Sequence, residues 1–326
     1  MNKDKEIFGI DISKDYFDVY TSLGMNHQFE NTPVGFRCFR KLLSGNAHCV
    51  MEATGYYHYR LASYLFKEEI KVSVVNPLSV KRFIQMKLSR IKTDKSDARM
   101  ICLYGEYQED LKLLKLWRPS EASQRESLQI VRLLDQYTKQ TTALKNKIHG
   151  EEILGKPSKI VLRSLKRSLR NLQKERVLLE EALMTQVEQE HRDMLARLCT
   201  IPGMGRKTAI LMLVLTDGFT KFDTASQLCS FCGITPLIKQ SGSSIRGRAR
   251  ISKMGNQKLR NLLFLCSFTA SRHNKACADI YHRIVNKGKS KKLALIAVSN
   301  KLVKQAFAIA TSGLCYDENY RSQLPA

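Results

Sequence analysis

Short apolar runs alternate with amphipathic stretches over the first part of the chain. "EIFGIDI", "AHCVMEA" and "KVSVVNP" have the length and β-branched content of buried strands. Between them, "GFRCFRKLLS" and "GYYHYRLASYLFKEE" space their apolar residues along one face of a helix. Gly24 marks a turn between two more strand-like segments, which predicts a hairpin and antiparallel opening strands before the parallel ones. The pattern therefore predicts an α/β domain over residues 1–121.

Residues 122–194 follow a different pattern, because their apolar side chains recur every three or four positions with few glycines or prolines. This heptad spacing predicts two long coiled-coil helices with a break at "GEEILGKPSK". The helices either fold back on each other as an antiparallel hairpin or pair with another subunit as an oligomerisation arm. The spacing alone does not decide between these two arrangements.

The last segment, residues 195–326, is mainly helical and basic, and "IPGMGRKTA" lies near its start. A helix, a tight turn containing Gly203 and Gly205, and a second helix would make a helix-hairpin-helix. Glycines let backbone N–H groups approach a phosphate, and Arg206 and Lys207 add positive charge at the helix N-terminus. We interpret this turn as a site for the nucleic-acid backbone; an ordinary Pro-Gly turn is the alternative.

The charge of the chain narrows the class of partner. The 326 residues include 54 Lys and Arg against 30 Asp and Glu, a formal net charge of +24. Such an excess attracts polyanions, and nucleic acid is the usual polyanion for a basic chain. No apolar stretch approaches the ~20 residues that span a bilayer, and the N-terminal residues lack the apolar run of a signal peptide. We expect a cytoplasmic nucleic-acid-binding protein without a membrane partner.

Nine cysteines are scattered through apolar segments, which predicts buried, reduced thiols. Cys229 and Cys232 are a close pair, but a single C-x-x-C without nearby histidines makes a poor zinc site. We therefore expect these two side chains to pack in the core.

Four carboxylates occupy positions suited to a metal site. Asp11 and Glu52 each end an apolar strand, where open α/β sheets place their ligands. Asp94 and Asp97 lie three residues apart on one helix face, so their charges repel unless a cation lies between them. Four converging carboxylates would suit two hard cations that hold the attacking and leaving oxygens of a phosphodiester. Solvated positions, helix caps or pairing with neighbouring lysines are the alternatives.

A loop further along the chain combines hydroxyls with basic side chains: Ser241, Ser243, Ser244, Arg246, Arg248, Arg250 and Lys253. A serine nucleophile needs a base or metal to activate it and cations to stabilise charge on the phosphate. From these residues alone, a flexible basic loop that binds backbone phosphates is the favoured interpretation.

A set of motifs occurs along the chain in a characteristic order: "GIDISKD", "MEATG", "VVNP", "KTDKSDARM", "IPGMGRKTA" and "SGSSIRGRARISKMGN". As a set they closely resemble the DEDD-type insertion-sequence transposases, relatives of the pilin-gene invertases and understood as bridge-RNA-guided serine recombinases. The resemblance implies an α/β RNase H-like (RuvC-like) N-terminal domain, coiled-coil helices and a mainly helical C-terminal transposase domain. It also implies that the four acids bind Mg²⁺ and that Ser241 is the nucleophile, with Ser243 and Ser244 as alternates.

The same resemblance implies the partners of the protein. They are double-stranded donor and target DNA, a structured guide RNA, and further copies of the chain in a homodimer or homotetramer, in a bacterial cytoplasm and on the nucleoid during action. Two other hypotheses use the same residues differently. One is a metal-dependent junction nuclease without a covalent step; the other is a non-catalytic nucleic-acid-binding protein with structural acids.

Overall fold

The computed structural model describes residues 6–53, 55–87, 94–237, 240–241, 245–246 and 250–319. The chain divides into two compact units, Met1–Ser120 and Glu121–Ala326. The predicted division of the second part into a coiled coil and a separate C-terminal domain stays a prediction, since both segments fall within one compact unit.

Unit 1 combines one sheet with four helices among its described residues. Its elements are β1 (Glu6–Ile12), β2 (Tyr16–Thr21), β3 (Asn26–Glu30), α1 (Pro33–Arg40), β4 (Ala47–Glu52), α2 (His58–Lys67), β5 (Lys71–Val75), α3 (Pro77–Met86) and α4 (Asp94–Asp110). The strand order is β3-β2-β1-β4-β5. The β1–β2 and β2–β3 pairs are antiparallel, whereas the β1–β4 and β4–β5 pairs are parallel. This order and these directions confirm the predicted RNase H-like fold and the hairpin at Gly24.

Local signals in the sequence mark where two helices of unit 1, α1 and α3, begin. The Thr32 hydroxyl accepts a hydrogen bond from the backbone N–H of Gly35, and Pro33 is the first residue of α1. The Asn76 side chain caps α3 in the same way, 2.8 Å from the N–H of Leu78. Both caps directly follow a strand, so the strand-to-helix turns are short and hold the ends of the sheet in place.

Both faces of the sheet are covered, which explains why its central strands are apolar throughout. Phe8 and Ile10 of β1 pack into a core with side chains of α1 and α2. On the opposite face, Ile7 and Val50 pack against α4 through Ile101 and Cys102.

Unit 2 is mainly helical, with two short two-stranded ladders. Its elements are α5 (Ala122–Ile153), α6 (Lys159–Cys199), α7 (Arg206–Thr216), α8 (Ala225–Cys232), β6 (Pro236–Leu237), β7 (Gln240–Ser241), β8 (Ile245–Arg246), β9 (Arg250–Ile251), α9 (Gln257–His273), α10 (Lys275–Asn286) and α11 (Lys291–Ser312). The mixed first unit and helical second unit agree with the predicted fold class.

The two long helices pack against each other within the chain. The Gln186 amide of α6 donates to the carbonyl of Ser123 at the start of α5, at 2.7 Å. At the other end of the pair, Lys166 lies 3.7 Å from Glu152. These contacts make α5 and α6 an antiparallel hairpin, one of the two arrangements that the heptads allowed. A role of the hairpin in oligomerisation stays a prediction.

The core of unit 2 gathers around α7 and α11. Residues 209–214 of α7 are buried on all sides, as their unbroken apolar sequence predicts. In the described part of the chain, α11 alone is long and apolar enough to cross a membrane. It packs against α8, α9 and α10 and buries Val298, Leu302 and Ala306, which is the behaviour of a core helix.

The cysteines follow the prediction only in part. Cys229 and Cys232 are buried in the core of unit 2, as expected. Burial also raises the pKa of the Cys232 thiol to about 12, so it stays protonated at neutral pH. However, Cys38, Cys199 and Cys315 are exposed, so the expectation of uniformly buried thiols was wrong.

Candidate active site

Two of the predicted acids lie side by side at one end of the sheet in unit 1. The parallel register pairs Ile10 of β1 with Met51 of β4. Asp11 and Glu52 are the next residues along these two strands, so they lie side by side at the carboxyl ends of β1 and β4. Because they alternate with Ile10 and Met51, both side chains lie on the face of the sheet covered by α4. Each is half-buried and has its own contacts.

The course of α4 brings the third acid to the same end. A Cβ at Gly9 would lie 2.2 Å from the backbone N of Cys102, and one at Gly105 would lie 3.0 Å from Ile7. Because Gly9 follows Ile7 along β1 while Cys102 precedes Gly105 along α4, the helix runs antiparallel to the strand. The N-terminal turn of α4, with Asp97, therefore lies toward the strand end that carries Asp11.

The acids share one end of the sheet, but their described side chains do not by themselves complete a metal site. Among the side chains that the structure describes, no three His, Cys, Asp or Glu groups form a set that could hold a metal ion. Those side chains include Asp11, Glu52 and Asp97, whereas only the backbone of Asp94 is described, as the first residue of α4. The donor chemistry, carboxylate oxygen throughout, suits a hard divalent cation.

The structure adds Asp18, a carboxylate that the sequence analysis missed. Asp18 lies directly opposite Asp11 across the β1–β2 ladder, so both side chains occupy the same face. It is only 9% exposed, and the Gln28 amide donates to its two oxygens at 3.1 and 3.3 Å. A charged residue between Phe17 and Val19 of an apolar strand was the signal that could have revealed it.

The histidine that follows the Glu52 strand is neutral at physiological pH. Burial lowers the pKa of His58, the first residue of α2, because desolvation disfavours the imidazolium. Its Nδ1 atom is buried and has no hydrogen-bond partner among the described residues. The neutral imidazole of His58 is therefore the favoured form at pH 7.

The predicted nucleophile lies in unit 2, in a short hairpin. Ser241 ends β7 and pairs with Ile245 at the start of β8 in an antiparallel ladder. Ser243, Ser244 and Arg248 lie outside the described residues, and only the backbones of Ser241 and Arg246 are described. Arg250 and Lys253 are both exposed, and Lys253 has a positive φ of 57°. The roles proposed for this loop therefore stay predictions.

The predicted helix-hairpin-helix segment consists of the end of α6, a tight turn and α7. Gly203 has a φ of +96°, and a Cβ there would lie 2.6 Å from Ala270 of α9. A Cβ at Gly205, by contrast, would meet nothing within 4 Å. Gly203 is thus required by the fold itself, whereas Gly205 is required by nothing within the described chain.

The basic residues at the start of α7 are already paired with α6. The Lys207 ammonium lies 2.8 Å from Glu180, and Arg206 forms a salt bridge with Glu188. Both basic side chains stay more than half exposed, at 65% for Lys207 and 54% for Arg206. Phosphate binding by these two residues stays a prediction, and a bound phosphate would compete with the glutamates for them.

The RNase H-like sheet with carboxylates at one end, joined to a basic helical unit, defines a class of enzymes that act on polynucleotides. Comparisons with known proteins identify the family within this class. Residues 195–282 match the family model described as "Transposase IS116/IS110/IS902 family". Residues 8–151 match a second model, of DEDD type, described as "Transposase". The chain belongs to the IS116/IS110/IS902 transposase family and is a DNA-acting enzyme.

Relatives match over the whole length of the chain. The "Pilin gene-inverting protein" of Moraxella bovis is 28% identical over 325 residues, covering 96% of this chain and 98% of the relative. The "Transposase for insertion sequence element IS1111A" of Coxiella burnetii is 24% identical, covering 98% of this chain and 92% of the relative. A solved structure, "T. thermophilus RuvC in complex with Holliday junction substrate", covers 35% of this chain and 99% of its own at a TM-score of 0.27 and 11% identity.

Proposed function

We propose that this transposase is a site-specific DNA recombinase that cleaves and rejoins strands through a metal-assisted serine-phosphate intermediate. The observation that carries the proposal is the placement of the acids. Asp11 and Glu52 lie side by side on the neighbouring strands β1 and β4. Helix α4 runs antiparallel to β1, so its first turn, with Asp94 and Asp97, lies toward the same end of the sheet. Acids from three separate elements that share one end of a sheet are what phosphodiester chemistry with a bound cation requires.

Mg²⁺ is the proposed cofactor, held by Asp11, Glu52, Asp94 and Asp97. When bound, it would act as a Lewis acid on the phosphate and lower the charge that builds there. The protein's part is to bring the carboxylates of three separate elements to one end of the sheet.

Ser241 is the proposed nucleophile. As its Oγ–P bond forms, the hydroxyl gives up its proton, the P–O bond of the strand breaks, and the departing strand oxygen takes up a proton, so no net proton is gained or lost. The covalent link conserves the energy of the broken phosphodiester, so strands can be exchanged and resealed without a nucleotide cofactor. Hydrolysis by water would lose that energy, which is why the covalent route suits recombination better than simple cutting.

A guide RNA is the proposed source of sequence specificity. The net charge of +24 supports binding to backbone phosphates of DNA and RNA alike. Double-stranded donor and target DNA and further copies of this chain complete the proposed assembly, acting in the bacterial cytoplasm. The relatives named for pilin gene inversion and for insertion sequences support the rearrangement of DNA segments as the biological outcome. Sequencing of RNA that co-purifies with the protein tests the guide; recovery of no discrete RNA would contradict it.

A denaturation-resistant protein–DNA adduct tests the chemistry. We expect the wild-type chain to form the adduct on its donor DNA in Mg²⁺. Ser241→Ala should abolish it, while Ser312→Ala, at the far end of α11, should leave it unchanged. Cleaved DNA without any adduct in the wild type would instead identify a junction-type nuclease. Unchanged cleavage in Asp97→Ala would identify the acids as structural.

Mixed assemblies test whether different subunits supply the two groups. The acids and Ser241 belong to different compact units. Ser241→Ala and Asp11→Ala subunits mixed together should regain strand exchange if one subunit's serine acts with another's acids. Failure of every such mixture would contradict sharing between subunits but leave the serine chemistry itself intact.

A further inference from the structure

A groove of about 740 Å³ opens in unit 1 at the same end of the sheet as the acids, yet none of the four acids lines it. Its walls are formed by three short segments that adjoin strand ends. Residues 14–16 connect β1 to β2, residues 30–32 connect the end of β3 to α1, and residues 56, 57 and 60 lie after β4, at the start of α2. Two of these segments begin within four residues of Asp11 and Glu52 along the chain. Thr32 and Arg60 belong to the starts of α1 and α2, which cover the face of the sheet opposite to the acids, so a strand bound at the acids would reach the groove by crossing this end of the sheet.

Three tyrosines stand out among the groove residues. Tyr16 is 50% exposed, Tyr56 is 68% exposed and Tyr57 is 46% exposed. Aromatic side chains contribute most when their rings are covered, so three exposed rings around one groove favour a ligand that covers them. Nucleobases do so, because every base has a π-face that stacks on an aromatic ring.

The charged residues of the groove balance one another. Lys14 and Arg60 are opposed by Asp15 and Glu30, all four exposed. The cations can each contact a phosphate, but the groove has no net charge with which to attract a phosphate chain. Binding there would therefore depend on stacking more than on counterion release.

One wall of the groove is held in place by hydrogen bonds. Asn31 is buried, and its side-chain amide donates to the carbonyl of Ser13 at 2.9 Å. Its backbone N–H donates to the carbonyl of Asp15 at 2.8 Å. The Ser13 hydroxyl donates to the carbonyl of Tyr16 at 2.7 Å, which fixes the turn carrying that ring. A preorganised wall lowers the cost of binding.

We propose that this groove binds unpaired DNA bases next to the phosphate that is cut, stacked on Tyr16, Tyr56 and Tyr57. The bases must be unpaired because in a duplex their faces are covered by neighbouring pairs. The assignment to DNA rests on the proposed function, which places a DNA strand at Asp11 and Glu52. The groove would then hold the strand open beside the acids.

Binding of labelled oligodeoxynucleotides in EDTA tests the groove without any cleavage. We compare a duplex carrying a short unpaired flap with the fully paired duplex, by fluorescence anisotropy of the full-length protein. Tyr56→Leu and Tyr57→Leu should each weaken flap binding about 5-fold or more, the cost of one lost stack, with little change in salt dependence. Tyr56→Phe and Tyr57→Phe keep the ring and should bind as the wild type.

Tyr107→Leu is the matched control, because Tyr107 is 47% exposed and lies near the far end of α4, outside the groove. It should leave flap binding unchanged. The proposal would be overturned if the Leu variants bind the flap as tightly as the wild type. It would also be overturned if the Phe variants lose as much flap affinity as the Leu variants, or if the Leu variants lose as much affinity for the paired duplex as for the flap. So would tighter binding of an RNA oligonucleotide of the same sequence. Because no cleavage is measured, these outcomes are independent of whether Asp11→Ala abolishes cleavage.

Discussion

The close approach of α4 to β1 places Asp97 toward Asp11, and a single methyl group should disturb it. In Gly9→Ala the new Cβ would lie 2.2 Å from the backbone N of Cys102 and 2.4 Å from the carbonyl O of Ala98. Ordinary contacts begin near 3.4 Å, so α4 must move by more than about 1 Å. These are backbone atoms of a helix and have no rotamer that relieves the clash.

The movement has two separate consequences. Overpacking of this kind costs about 1–3 kcal/mol, which for a unit of this size lowers the melting temperature by about 4–12 °C. A displacement of about 1 Å in a catalytic group also costs about 100-fold in rate. We therefore expect folded Gly9→Ala protein to lose most of its Mg²⁺-dependent strand cleavage at a temperature well below its own melting point.

Gly45→Ala is the matched control, because a Cβ at Gly45 meets nothing within 4 Å. It should melt and cleave as the wild type does. Thermal unfolding by circular dichroism and gel-based cleavage of donor DNA measure the two effects. If Gly9→Ala melts lower but cleaves normally, the spacing of α4 does not position the acids. If it neither melts lower nor loses activity, the close packing itself is refuted.

Three further predictions concern other parts of the molecule. Asp18→Asn removes a like charge opposite Asp11, so it should melt at or above the wild-type temperature in EDTA but cleave about 10-fold more slowly. A raised melting temperature with cleavage at the wild-type rate would limit Asp18 to a structural role. Gly203→Ala should lower the melting temperature, because its Cβ would clash with Ala270, whereas Gly205→Ala should leave the melting temperature unchanged. Gly205→Ala should instead weaken duplex binding in a filter assay, and normal binding would contradict the hypothesis that this turn contacts a backbone phosphate. Burial raises the pKa of the Glu180 carboxyl, but the neighbouring Lys207 and Arg176 more than offset this and lower the pKa below 4.5. The stabilisation of the fold by ionised Glu180 is therefore present above pH 4.5 and lost as the pH falls through the folded-state pKa. The difference in melting temperature between Glu180→Gln and the wild type should accordingly disappear in acid.

Much of the fold could be predicted from local patterns. The central strands of unit 1 are apolar because both faces of the sheet are covered. Strand-helix alternation and the hairpin at Gly24 predicted antiparallel opening strands before the parallel ones, and the structure supplies their order. The heptads of α5 and α6 indicated long helices, but only tertiary contacts such as Gln186 to Ser123 show that they pair within the chain. A heptad pattern buries one stripe and is silent on which helix covers it.

The candidate site was predictable where chemistry is marked by an unusual neighbour. Asp11 and Glu52 stood out because carboxylates at the ends of apolar strands need partners. Asp18 shares that property but was missed, since its importance depends on lying opposite Asp11 across a ladder. The pairing of Lys207 with Glu180, 27 positions apart, likewise depends on how α6 and α7 pack and is invisible to residue spacing.

The central claim is that carboxylates from β1, β4 and α4 together hold a cation beside DNA. The most direct measurement is a crystal structure of the full-length chain with uncleaved DNA and Mn²⁺, using anomalous scattering to locate the metal. We predict an anomalous peak within bonding distance of Asp11 and at least two of Glu52, Asp94 and Asp97, next to a phosphate. A DNA-bound complex that cleaves in the same buffer yet shows no peak at that end of the sheet would contradict the account.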